Sequence, residues 1–193
     1  LVVDTSGVAW FSRGDQGGGL SRFDWQRRTL HTYRHIAGDP TSLTSDTLMN
    51  LAISPNGGSI WVVSGDGTLQ HFEAATKKVT PYHQRTHSGI PYSPKLAFVS
   101  PDGTLWAAGH SAEGAIVLSH QEEESISFKR EILLAEANLN QRFTGLTATA
   151  DGTLWLGTEE YLIRRTTSGE STTFSLAAAE VGEMRSFQLD ERG

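Results

Sequence analysis

The sequence predicts an all-β fold, a β-propeller of four four-stranded antiparallel blades followed by the first strand of a fifth. Three observations carry that expectation: a segment that recurs along the chain, hairpin turns inside every copy, and the want of sustained helical spacing. The segment Val2 to Trp10 returns as Ala52 to Trp61 with one residue inserted, then as Phe98 to Trp106 and Ala148 to Trp155. Trp10, Trp61, Trp106 and Trp155 stand 51, 45 and 49 residues apart, so only Trp25 lies off the pattern. A period of that length with four strands per unit is the signature of a propeller blade.

The elements follow in order from turn chemistry, because Asp-Gly and Asn-Gly between apolar runs mark hairpins. In the first unit strands are expected near 1–4, 8–12, 19–24 and 29–34. The third should place them at 96–100, 104–108, 114–119 and 126–132, and the fourth at 146–150, 153–157, 161–165 and 171–175. The blades then run approximately 1–48, 49–95, 96–145 and 146–186, with 187–193 opening the next. The only short helical turns expected are 133–139 and 176–180. Gly7, Gly103 and Gly152 supply the positive φ of the first hairpin, the neighbouring Asp bonds its own backbone, and the tryptophans fill space between blades. These residues are scaffold rather than site.

Composition narrows the function classes. With 16 basic against 22 acidic side chains the formal net charge is −6, and the basic residues are scattered, which argues against nucleic-acid binding. No apolar run reaches the length of a membrane-spanning helix, so this segment is expected not to insert in a bilayer. The absence of cysteine removes disulfides, thiolate metal sites and cysteine nucleophiles together.

The run from Leu30 to Asp46 resembles the inter-blade linker of two-component regulator propeller repeats, in which a strand ending in Y-x-H meets a D-P-x-S-L loop. Here these are Tyr33, His35 and Asp39-Pro40-Thr41-Ser42-Leu43. Gly18 to Asp24 resembles the family's third strand, and Trp155-Leu156-Gly157-Thr158 its W-x-G-T signature. Such repeats form extracytoplasmic, periplasmic input domains of sensor histidine kinases, hybrid sensors and diguanylate cyclases. The resemblance therefore implies a non-catalytic sensing module that binds an extracellular small molecule, such as a carbohydrate, without a cofactor. Its signal would pass to the remainder of a membrane-bound sensor polypeptide. It also implies an excerpt of a six- to eight-bladed ring.

Strand alternation puts the turns between strands one and two, and three and four, on one face. The two–three turns and the inter-blade linkers lie on the other. The second face collects the long, variable segments, where function on a rigid scaffold concentrates. Its candidate ligand-binding residues are Arg13, Asp15, Gln16, His87, Tyr92, His110, Glu113, Arg142, Glu159 and Tyr161. Other signals are bland. His31 and His35 share a strand face but lack a third metal ligand, His83 and His87 sit in a loop, and Gly17-Gly18-Gly19 matches no phosphate-binding pattern. No metal site is expected.

A propeller enzyme of streptogramin-lyase or sialidase type is the alternative reading, and a protein-interaction platform the third. Against the enzyme, Asp102 and Gly103 are adjacent where an Asp-box spaces them, and no arginine cluster or motif-bound histidine is present. Expressed alone, an arc cut from a ring is expected to pair with a second copy through its open ends or to aggregate.

Overall fold

The computed structural model describes residues 1–12, 18–82, 92–121, 128–135, 141–176 and 184. Its strands are β1 Val2–Val3, β2 Ala9–Ser12, β3 Leu20–Asp24 and β4 Thr29–Tyr33 in the first blade, then β5 Leu48–Ile53, β6 Ser59–Ser64, β7 Leu69–Glu73 and β8 Lys78–Tyr82 in the second. The third blade holds β9 Tyr92–Val99, β10 Leu105–Ser111, β11 Ile116–Gln121 and β12 Phe128–Leu134, and the fourth β13 Phe143–Ala148, β14 Leu154–Thr158, β15 Tyr161–Arg165 and β16 Ser171–Ser175. Each group of four is one antiparallel meander in chain order. No helix occurs among the described residues. Residues 133 and 134, expected in a helical turn, instead end β12, because Leu134 pairs with Ile116 across the sheet. Residues 136–139, 177–180 and the fifth-blade strand at 187–193 lie outside the described residues.

The first hairpins form for local reasons. Gly7, Gly57, Gly103 and Gly152 have φ of 79°, 71°, 89° and 82°. A Cβ at Gly7 or Gly103 would meet nothing, so it is the backbone conformation that demands glycine there. Asp102 accepts from Thr104 N at 3.0 Å and Asp151 from Thr153 N at 2.9 Å, each closing its own turn. Asp4 does more: it accepts from Ser6 N and Val8 N, and its second oxygen takes the Trp10 indole N–H at 3.1 Å.

Strand alternation then sorts side chains toward the two neighbouring blades. Trp10, at 1% exposure, packs with Leu20 against Leu51, Ile60, Val62 and Phe72 of the second blade. The intervening residues of β6, Trp61 and Val63, face the other way onto Ala97, Leu105, Ala107 and Phe128. Trp106 lies beside Leu154, Leu156 and Ile163 of the fourth blade. Register confirms the equivalence, since Trp10 pairs with Arg22, Trp61 with His71, Trp106 with His120 and Trp155 with Arg164. Burial between blades, expected of all four, holds for Trp10 and Trp61, is partial for Trp106, and fails for Trp155. Trp155 is half-buried and belongs to none of these cores, because no described sheet lies on its side of the fourth blade. Val3, Leu30 and Phe174 are likewise about half exposed on the first and fourth sheets.

The linker from β4 to β5 is fastened by the residues that distinguish it. Leu43 is buried at 1% exposure in the first core. His35 bonds the Leu43 carbonyl through Nδ1 at 2.7 Å, and its backbone N–H donates to Asp46 at 2.7 Å. The buried Gln70 carboxamide accepts from Thr44 N at 2.8 Å and donates to Ser64 Oγ. Between blades, Asn50 Oδ1 takes the otherwise unpaired Ala97 N–H at 2.8 Å and ties two inner strands together.

Candidate functional site

The inner strands β5, β9 and β13 each carry a β-bulge at the same place. Pairing slips between Leu48 and Asn50, between Ala108 and Gly109, and between Phe143 and Gly145, which leaves Met49, Lys95 and Thr144 as the extra residues. Each stands three positions before the residue that pairs with its blade's tryptophan. A bulge bends the strand and re-aims the side chain it carries. Because all three fall at the start of an inner strand, they gather where the linkers arrive, on the second face. Close approach enforces the bulge of the third blade: a Cβ on Gly109 would stand 2.0 Å from the Ser93 carbonyl oxygen.

At this end of the blades lies a cavity of about 320 Å³ lined by Met49, Lys95, Leu96, His110, Gln141, Arg142 and Phe143. Its polar groups are unusually unsatisfied. Gln141 is 5% exposed and His110 7%, yet neither amide atom of Gln141 nor Nε2 of His110 has a hydrogen-bond partner among the described residues. An orphaned buried polar group costs about 1–3 kcal/mol, and three such atoms belong to two residues of this one wall. His110 stacks on Phe143 with ring centroids 4.7 Å apart. Burial, reinforced by the nearby Lys95 charge, holds its pKa below the ordinary histidine value and favours a neutral imidazole.

The expected site residues fall into three groups. Arg13, Asp15, Gln16 and His87 lie outside the described residues. His110 and Arg142 come together in the cavity wall, and Glu159 joins them only through Arg142, its carboxylate 3.9 Å from Arg142 Nε and its backbone N–H donating to the Arg142 carbonyl at 3.1 Å. His110 is not a loop residue but the sixth residue of β10. Tyr92, Glu113 and Tyr161 do not line the cavity. Tyr92 opens β9, bonds Ser119 Oγ and lies under the Arg130 guanidinium at 5.1 Å. Burial pushes its phenol up to about 12 against the opposing pull of that bond and that charge. Glu113 is exposed in the turn after β10, and Tyr161 packs half-buried on the third core.

Met49, Lys95, Leu96, Gln141 and Phe143 were not candidates from sequence, although Lys95, Gln141 and Phe143 read as linker on the candidate face. The signals were present: Pro94 beside the bulge, and Gly109, Gly145 and Gly157 inside strands. A second hollow, about 770 Å³, opens between the third and fourth blades on the opposite face. Three of its four charged groups are already engaged: Arg165 pairs with Glu131 and lies over the Trp106 ring at 5.4 Å, and Asp102 and Asp151 close their own turns; the fourth, Lys129, is exposed. Among the described residues no group of three acidic or imidazole side chains is placed to hold a metal.

No protein-family model and no curated protein sequence matches the chain. Solved structures do. A domain from B. thetaiotaomicron, described as the extracellular part of the hybrid two component system BT3049, superposes with a TM-score of 0.67 at 22% identity, covering 87% of this chain and 22% of that one. The β-propeller domain of Cps50 (Swd1) from Myceliophteria thermophila gives 0.62 at 15% identity over 100% of this chain and 60% of that one. YCF48, solved bound to D1 peptide, gives 0.57 at 16% over 85% and 49%. The chain thus has the β-propeller fold, and it spans about a fifth of the BT3049 domain's length.

Proposed function

We propose that this chain is part of the extracytoplasmic ligand-sensing propeller of a two-component sensor, and that the second-face cavity between the inner strands is where a small molecule, a carbohydrate in kind, is read. The observation that carries the reading is the unsatisfied polar set of Gln141 and His110, buried in a cavity whose walls come from three successive blades. A ligand that completes those hydrogen bonds would hold the second, third and fourth blades in one arrangement, and so convert occupancy into a change of rigidity that a downstream module can sense. The likeness to a sensor's extracellular domain supports the same reading. So does the linker built on His35, Leu43 and Asp46. The segment acts by binding and carries no chemistry of its own; its partners are the ligand and the rest of the sensor polypeptide. The apolar residues on the outer sides of the first and fourth sheets fit further blades, or a second copy of this chain.

The test is a thermal-shift screen against a panel of mono- and oligosaccharides, followed by calorimetry on any hit. A saccharide that raises the melting temperature of the wild-type chain but not of Gln141→Leu supports the assignment. A hit whose affinity is unchanged in Gln141→Leu and in His110→Leu places the site elsewhere.

A further inference from the structure

The make-up of the cavity narrows the ligand class, a step that rests on the cavity being the sensor's ligand site. Among the described residues its wall carries two cations, Lys95 and Arg142, and no carboxylate, in a chain whose net charge is −6. Arg142 is paired with Glu159, whereas Lys95 makes no ion pair among the described residues. Lys95 is also the one charged residue of the three that the inner-strand bulges set out of register. An ammonium beside an amide N–H donor suits one carboxylate group. The unpartnered acceptor of the same carboxamide calls for a hydroxyl on the same molecule. A phosphate would ask for the array of backbone N–H groups found at a helix N-terminus or nest, and among the described residues no helix lines this cavity. Met49, Leu96 and Phe143 offer apolar surface to the C–H face of a ring, and 320 Å³ lies at the small end of ligand sites.

We propose that the cavity binds a small hydroxylated carboxylic acid of about the size of one hexuronic acid. Its carboxylate lies between Lys95 and the Gln141 amide N–H, a hydroxyl donates to the Gln141 carbonyl, and its C–H face rests on Leu96 and Phe143. Calorimetry of the full chain would compare D-glucuronate and D-galacturonate with D-glucose, D-galactose and inorganic phosphate. The expected result is that one of the acids binds at least about tenfold more tightly than its neutral parent and than phosphate. Lys95→Met should erase that preference and Lys95→Arg should keep most of it, both with unchanged circular dichroism. Equal binding of acid and neutral sugar, or acid binding indifferent to Lys95→Met, overturns the carboxylate assignment while leaving the saccharide reading standing. Phosphate binding as tightly as the acids would mark a generic anion site and overturn it too. If none of these sugars binds while another saccharide from the wider screen does, this inference fails and the sensing reading survives.

Discussion

Replacing Gln141 by Met should make the protein more stable and less able to bind. The side chain is 5% exposed and neither end of its carboxamide has a partner among the described residues, so the ligand-free fold bears the desolvation of a donor and an acceptor with nothing in return. Methionine keeps the unbranched shape and fills irregular gaps without polar atoms. Each unsatisfied group costs about 1–3 kcal/mol, and methionine packing will recover only part of the pair; a net gain of about 1–2 kcal/mol is expected. For a chain of this length that raises Tm by roughly 2–8 °C, on about 2–4 °C per kcal/mol. Differential scanning calorimetry and urea melts without ligand would measure it, with m unchanged to confirm that the same fold is being melted. A loss of stability of about 1 kcal/mol or more would refute the reasoning, because it would mean the amide is already hydrogen-bonded and does structural service.

Gly109→Ala should cost more than an ordinary strand substitution, on the order of 1–3 kcal/mol, since its Cβ would stand 2.0 Å from Ser93 O; a urea melt within about 0.5 kcal/mol of wild type would show the bulge is not held there. Trp61→Ala should lose about 3–5 kcal/mol, while Trp155→Ala, half-buried and outside the three cores, should lose clearly less; equal losses would mean another surface covers Trp155. Acid should weaken the hairpins. The Ser100 hydroxyl and then the Thr104 N–H hold Asp102 below its ordinary value of 3.8, and the Thr149 hydroxyl and Thr153 N–H do the same for Asp151. With folded pKa values depressed, their contribution is complete above the unfolded value and is lost as pH falls through the folded one. Stability measured from about pH 5 downward should therefore fall less steeply in Asp102→Asn and Asp151→Asn than in wild type; parallel curves would show that these carboxylates do not contribute.

The blades were legible because their determinants are local. An Asp or Asn, a positive-φ glycine and a tryptophan within a few residues fix a hairpin, and the spacing of Trp10, Trp61, Trp106 and Trp155 repeats it. The second face was legible as a region for the same reason, since strand direction follows from counting hairpins. The cavity was not, because a bulge is a property of pairing between strands, not of either strand's own composition. Lys95 and Phe143 fell before the inner strands expected at 96–100 and 146–150; those strands begin earlier, because the inner strand is the edge of its sheet and tolerates Pro94 and Gly145. His110 was found for its chemistry but expected in a loop; β10 continues past the third-blade bulge, where His110 pairs with Ser93 on one side and Ile116 on the other and is buried in the sheet.

Hydrogen–deuterium exchange on the chain with and without a saturating saccharide from the screen addresses the central claim most directly, because it reports position rather than affinity alone. The account predicts slowed exchange confined to the second-face ends of the inner strands and their neighbours, at 92–96, 109–111 and 141–144, with the hairpins at 100–104 and 149–153 unaffected. Protection appearing instead around those hairpins and Trp106 would place the ligand on the opposite face and contradict it.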